Sequence, residues 1–125
     1  IPLTHRQYGN ALMLDSGHSQ HGEYQPSQRP TRVFYMGVKQ ASQITASLID
    51  DGLCYSTPVA MIANGTLPNQ EVFTGRLIDL PALAERYSGL GPALIIVGEV
   101  AAFAAKNTTS NQIQDIASQL GEAVA

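Results

Sequence analysis

Little in this sequence carries charge, and what charge there is forms no pattern. Asp, Glu, Lys and Arg make up 14% of the 125 residues, and the seven Lys and Arg are scattered from Arg6 to Lys106 under a formal net charge of −3. A phosphate backbone is held by a concentrated basic field, so nucleic acid is excluded as a partner. Long apolar runs are missing too. Ala93 to Val97 and Val100 to Ala105 fall far short of the roughly 20 residues of a membrane helix, which excludes a transmembrane segment and a membrane partner. The single cysteine, Cys54, cannot close an intrachain disulfide, and no charged start with an apolar middle marks a signal peptide; a reducing cytoplasm is expected. The sequons Asn64-Gly65-Thr66 and Asn107-Thr108-Thr109 are then coincidental, since glycosylation needs a secretory route. There is no initial methionine, and Ile1-Pro2 is expected to follow a segment of a longer protein.

What is present is the composition of an α/β protein. A hydrophobic content of 44% at this length supports one compact domain with one core. Ala11 to Leu14 reads as a short strand running into the Ser16-Gly17-His18 turn, and His21 to Pro30 as a polar surface loop. Arg32 to Met36 is β-branched, aromatic and nearly continuous in apolar character, which predicts a strand buried on both faces, with Tyr35 a core residue. Apolar residues at Ala41, Ile44, Ala46, Leu48 and Ile49 follow helical spacing and predict a helix over 39–51, stopped by Gly52. Pro58 opens a second buried strand over Val59 to Ala63. Asn69 to Leu77 alternates weakly, as an antiparallel edge strand does. Asp79 is placed to cap a helix with Pro81 in its first turn and Gly89 at its end. Pro92 to Val97 is a third buried strand. A last helix begins at Ser110, with Ile113, Ile116, Leu120 and Val124 on one stripe. Strand, helix and strand in sequence make a βαβ unit. The expected fold is therefore α/β, with a mixed, mainly parallel central sheet of about five strands flanked by helices.

Parallel strands joined by a crossover end at the same edge of their sheet, so Met36-Gly37 and Asn64-Gly65 are expected to be neighbours there, with Gly98 after the third strand as a further candidate. In open α/β sheets ligands bind outside the carboxyl ends of the strands, where glycine lets the backbone come close. The same glycines also serve tight strand-to-helix turns with no ligand.

A set of motifs in order narrows this. Pro2-Leu3-Thr4-His5-Arg6, Ser16-Gly17-His18, Val33-Phe34-Tyr35-Met36-Gly37, Pro58-Val59-Ala60, Asn64-Gly65-Thr66, Thr74-Gly75 and Pro92 to Val100 together resemble the C-terminal half of the uroporphyrinogen-III C-methyltransferases of the tetrapyrrole methylase family. The resemblance covers residues 1 to about 100, and the 29 positions from Met36 to Gly65 match the family's separation of two cofactor-binding positions. It implies a second tetrapyrrole methylase domain over 11–125, preceded by an interdomain connector at 1–10. It implies an S-adenosyl-L-methionine-dependent parent enzyme that methylates uroporphyrinogen III to precorrin-2 for sirohaem or cobalamin, acting as a homodimer. Met36 and Gly65 are the cofactor-binding residues it carries over, both through their backbones. The family's glycine-rich loop, Gly-Gly-Asp-Pro loop and acid/base residues precede Ile1, so no catalytic residue is assigned here and the chain alone is expected to be inactive. Another precorrin methyltransferase, or a non-enzymatic dimerisation or binding module, would be the alternatives. Ser16 and Tyr24 depart from the family's usual threonine and tryptophan, and Ala101 to Ala125 has no counterpart in its pattern.

His5 and Arg6 can meet a carboxylate-rich tetrapyrrole, a guanidinium binding carboxylate bidentately, or can serve as a structural cap. His18 and His21 lack the further ligands of a metal site, and no metal is expected. Cys54 has no basic neighbour in sequence to activate it. Asp50 and Asp51 are adjacent on a helix end and point apart.

Overall fold

The computed structural model describes residues 3–7, 11–12, 30–87, 89 and 91–104. Four strands and two helices are built from them: β1 (Arg32–Tyr35), α1 (Ala41–Asp50), β2 (Pro58–Ala63), β3 (Glu71–Arg76), α2 (Leu80–Arg86) and β4 (Ala93–Val97). The strand expected at Ala11 to Leu14 and the helix expected from Ser110 lie outside the described residues, apart from Ala11 and Leu12.

The two helices follow from their apolar spacing. In α1 the buried residues are Ala41, Thr45 and Leu48, the i, i+4, i+7 stripe of an amphipathic helix. Thr45 is the one polar member, and its hydroxyl donates to the Ala41 carbonyl at 2.8 Å, so nothing polar is buried unpaired. The helix closes with Gly52 N–H on Ile49 O and Leu53 N–H on Leu48 O, the bond pair of a Schellman stop. In α2 Leu80 and Leu83 are buried, with Pro81 in the first turn. Asp79 does not cap α2 as expected. Its carboxylate reaches back to the Arg76 N–H at 3.1 Å and the Arg76 Nε at 3.0 Å, bracing the short 3-10 turn Leu77–Asp79 that leads in.

The sheet runs β1-β4-β2-β3, and each of its three ladders is antiparallel. Among the described residues this corrects the expectation of a mainly parallel sheet; the expected fifth strand is the one at Ala11 to Leu14. β1 and β2 do point the same way, as a βαβ unit requires, because both run against β4. Yet β4 lies between them, so their direction never becomes a parallel ladder. α2 joins β3 to β4 in the same manner, across β2. The two split βαβ units are thus interleaved. The edge position of β3, paired to β2 from Pro58↔Arg76 to Ala63↔Glu71, agrees with its weak alternation.

One face of the sheet carries Phe34, Ile95, Met61 and Phe73 in a single cross-strand row. Met61, Ile95, Leu77 and Leu80 are completely buried, and with Val59, Val97, Leu48 and Leu83 they form the core between sheet and helices. On the opposite face Tyr35 is 76% exposed and Val33 47% exposed. The strand expected to be buried on both faces is therefore an edge strand half-buried on one, and Tyr35 is not a core residue.

Candidate functional site at the β1 and β2 ends

Because β1 and β2 share a direction, their C-terminal ends meet at one end of the sheet, on either side of the start of β4. The ladders stop at Tyr35↔Leu94 and Ala63↔Ala93, and the Asn64 N–H donates to the Pro92 carbonyl at 2.9 Å. With neighbouring strands about 4.8 Å apart, the two ends are separated by roughly 10 Å. Met36 and Gly65 therefore do converge, but with Gly91-Pro92 between them. Gly98 does not join them. It follows the opposite end of β4, where its N–H donates to Pro58 O at 3.0 Å, a direct result of β4 running the other way.

The backbone at this end is unusual. Met36, at φ 55, and Asn64, at φ 51, are left-handed residues with side chains, as is Thr66 at φ 69. Each such residue costs of order 1–3 kcal/mol, and such conformations cluster where a ligand is clamped. Gly65 is not left-handed; its two neighbours, Asn64 and Thr66, are. Met36 is also 92% exposed, a large apolar side chain left in solvent just past a strand.

Beside Met36 lies a pocket of about 740 Å³. Its walls come from the N-terminal part of α1, from α2 and the Tyr87 that follows it, and from the Gly91-Pro92-Ala93 entry to β4. The volume falls in the range of small-ligand sites. The Tyr87 hydroxyl donates to the Gly91 carbonyl, tying the end of α2 to the β4 entry. Gly65 is exposed on the adjoining turn and does not border the pocket. The turn is closed by Leu67 N–H on Asn64 O at 3.0 Å and by Thr66 N–H on the Gln70 Oε1 at 2.7 Å.

The remaining sequence candidates fall elsewhere. His5 and Arg6 are exposed, with the Gln7 N–H on His5 Nδ1 at 3.2 Å, and neither borders the pocket. Cys54 is exposed, its Sγ 3.1 Å from the Ser56 hydroxyl. His18 and His21 lie outside the described residues. Among the described residues no three His, Cys, Asp or Glu side chains gather as a metal site would, and no helix is long and apolar enough to cross a membrane. Sequence reasoning placed Asn64 at the ligand edge but gave that turn's cofactor role to Gly65 alone, and it missed Tyr87 and Gly91. The Asn-Gly pair was a signal for Asn64, since asparagine is one of the few residues that enter the left-handed region readily.

Known proteins resemble this chain in sequence and fold. The chain is 44% identical over 108 residues to the siroheme synthase of Pseudomonas putida, which covers 80% of this chain and 23% of that protein. Its fold matches a crystal structure of uroporphyrin-III C-methyltransferase from Thermus thermophilus with a TM-score of 0.56 at 30% identity, over 85% of this chain and 46% of that one. The chain is similar to a part of both proteins. The same Thermus enzyme in complex with S-adenyl homocysteine matches with a TM-score of 0.50 at 30% identity, over 79% of this chain and 44% of that one. No protein-family model matches. The chain thus spans about a quarter of the curated relatives and under half of the solved enzyme.

Proposed function

We infer that the chain is the C-terminal part of an S-adenosyl-L-methionine-dependent uroporphyrinogen-III C-methyltransferase, which forms precorrin-2 for sirohaem or cobalamin in the cytoplasm. The observation that carries this reading is the convergence of two left-handed strand ends, at Met36 and Asn64-Gly65, on one end of the sheet beside a small-ligand pocket. Similarity to an enzyme solved with S-adenyl homocysteine supports the choice of ligand. The pocket suits the adenosyl group: its walls are mostly apolar with two tyrosines, Tyr35 and Tyr87, and a thioether such as that of Met36 packs favourably on an aromatic ring.

The cofactor supplies a methyl group on a positively charged sulfur. When bound, the cofactor would pass that methyl to a nucleophilic pyrrole carbon and leave as neutral S-adenosylhomocysteine, the proton displaced from the pyrrole passing to solvent. Little covalent chemistry is left to the protein, which holds the two reactants in line. In this scheme Met36 and Gly65 offer backbone groups to the adenosyl end, and His5 and Arg6, on the connector at 1–10, face the carboxylates of the tetrapyrrole. The catalytic loops belong to the N-terminal part of the parent. A second copy is the expected further partner.

The test is methyl transfer to uroporphyrinogen III from labelled S-adenosyl-L-methionine. The full-length parent is expected to transfer label to two carbons of the macrocycle and the present chain to transfer none above background. Transfer to a different corrinoid precursor would identify another precorrin methyltransferase, and a parent that neither binds S-adenosylhomocysteine nor transfers label would identify a binding module.

A further inference from the structure

Asn64 does more than turn the chain. Its backbone N–H is fixed on Pro92 O at 2.9 Å, and its side-chain amide occupies the place where a Cβ on Gly91 would stand, with the amide carbon 3.0 Å from that point. Gly91 itself sits at φ +123, where glycine alone is comfortable. The two residues therefore define each other: position 91 has no side chain because the Asn64 amide lies against it. On its far side the Gly91 carbonyl accepts the Tyr87 hydroxyl, and Tyr87 and Gly91 both line the pocket that Met36 borders. A continuous line of contacts runs from the pocket wall through Gly91 to Asn64 and on into the Gly65 turn.

We propose that Asn64 is a positioning residue: by seating its amide on Gly91 it locks the Gly65 turn to the wall of the Met36 pocket, so that both strand ends address one ligand. This rests on the cofactor reading of that pocket. A residue that only shaped a turn would be replaced without loss by glycine, which holds a left-handed φ more readily than asparagine. A positioning residue would not.

The experiment measures S-adenosylhomocysteine affinity by calorimetry, and kcat and KM for S-adenosyl-L-methionine, in the full-length parent. Asn64→Gly is expected to weaken binding at least about fivefold, raising KM with kcat at saturation unchanged, while thermal stability holds or rises. Asn64→Asp, which tolerates the same backbone and keeps an oxygen against Gly91, is expected to stay within about twofold of wild type. Gly91→Ala should weaken binding about tenfold or more, and Asn64→Gly/Gly91→Ala should be no more than about twofold worse than the worse single variant, because both act on one contact. Gly52→Ala, left-handed at φ +97 with nothing within 4 Å of the added carbon, controls for backbone strain and should leave affinity alone. Wild-type affinity in Asn64→Gly, or additive losses in the double variant, would overturn the positioning role; if Gly91→Ala fails to fold, the Asn64 variants decide alone. Failure of the wild-type parent to bind would instead remove the cofactor reading and this role with it.

Discussion

Gly65→Val in the full-length parent separates the cost of folding from the cost of binding. Gly65 is exposed and free of the left-handed φ that its neighbours Asn64 and Thr66 carry, so a side chain there meets no backbone strain. A Cβ on it would touch one atom, the Ile62 Cγ2 at 3.4 Å, which is ordinary packing. An exposed substitution without strain or overlap changes stability by within about 0.5 kcal/mol, and loss of glycine's freedom in the unfolded chain offsets part of even that. Binding is different. If the backbone at 65 approaches the adenosyl group, three added carbons stand in the space the ligand enters, and at least about a tenfold loss of affinity is expected, roughly 1.4 kcal/mol. Calorimetric titration with S-adenosylhomocysteine reads the second quantity, and thermal melting followed by circular dichroism reads the first. A melting temperature within about 2 °C of wild type alongside the weakened binding is the expected pair. Native melting with unchanged affinity would mean that Gly65 belongs to a turn and to nothing else, and the assignment of that residue to the cofactor would be refuted.

Other consequences are simpler. Met61→Ala, at the centre of the Phe34–Ile95–Met61–Phe73 row and fully buried, should cost about 2–5 kcal/mol in a denaturant titration, and a loss under about 1 kcal/mol would show that the row is not the core. The Asp79 carboxyl is held below its ordinary range by hydrogen bonds from the Arg76 side chain and backbone. A lowered folded-state value means that this contribution is present above the ordinary carboxylate range and fades as pH falls through the folded value. The wild type should therefore lose stability on acidification more steeply than Asp79→Asn, and parallel acid limbs would count against the Arg76 contact. Arg6→Ala in the parent should raise the KM for uroporphyrinogen III about fivefold or more with the cofactor's KM unchanged; an unchanged tetrapyrrole KM would return Arg6 to a structural role.

The elements were legible because their periodicity is local. Ala41, Ile44, Leu48 and Ile49 recur at helical spacing, and the helix Ala41–Asp50 lies where that spacing places it. Val72 and Phe73 between polar neighbours marked β3 as an edge. What local pattern could not carry was adjacency. Val33 to Met36 reads as a strand shielded on both faces, since Val, Phe, Tyr and Met follow one another without a polar break. The shielding depends on what lies beyond the strand, and here Val33 and Tyr35 are exposed. In the same way a strand-helix-strand sequence fixes that β1 and β2 share a direction, while their neighbour β4 arrives some 30 residues after β2 ends, through pairings such as Phe34↔Ile95 and Met61↔Ile95.

The convergence of Met36 and Gly65 does not depend on a parallel sheet, for a physical reason. Convergence of Met36 with Gly65 needs only that β1 and β2 point the same way, which the crossover through α1 enforces whether or not the two strands touch. Inserting β4 between them widens the gap by one strand spacing, about 5 Å, and fills it with the Gly91-Pro92 entry. That insertion also reverses the place of Gly98, which a parallel β4 would have brought to the same end. The segment between the two ends must then be slim enough to leave both accessible, and it is: Gly91 has no side chain, and the amide of Asn64 lies against it. A parallel sheet would have joined the two turns directly. The antiparallel one joins them through Gly91, which is why the spacing of Met36 and Gly65 was visible in the sequence and the residue that couples them was not.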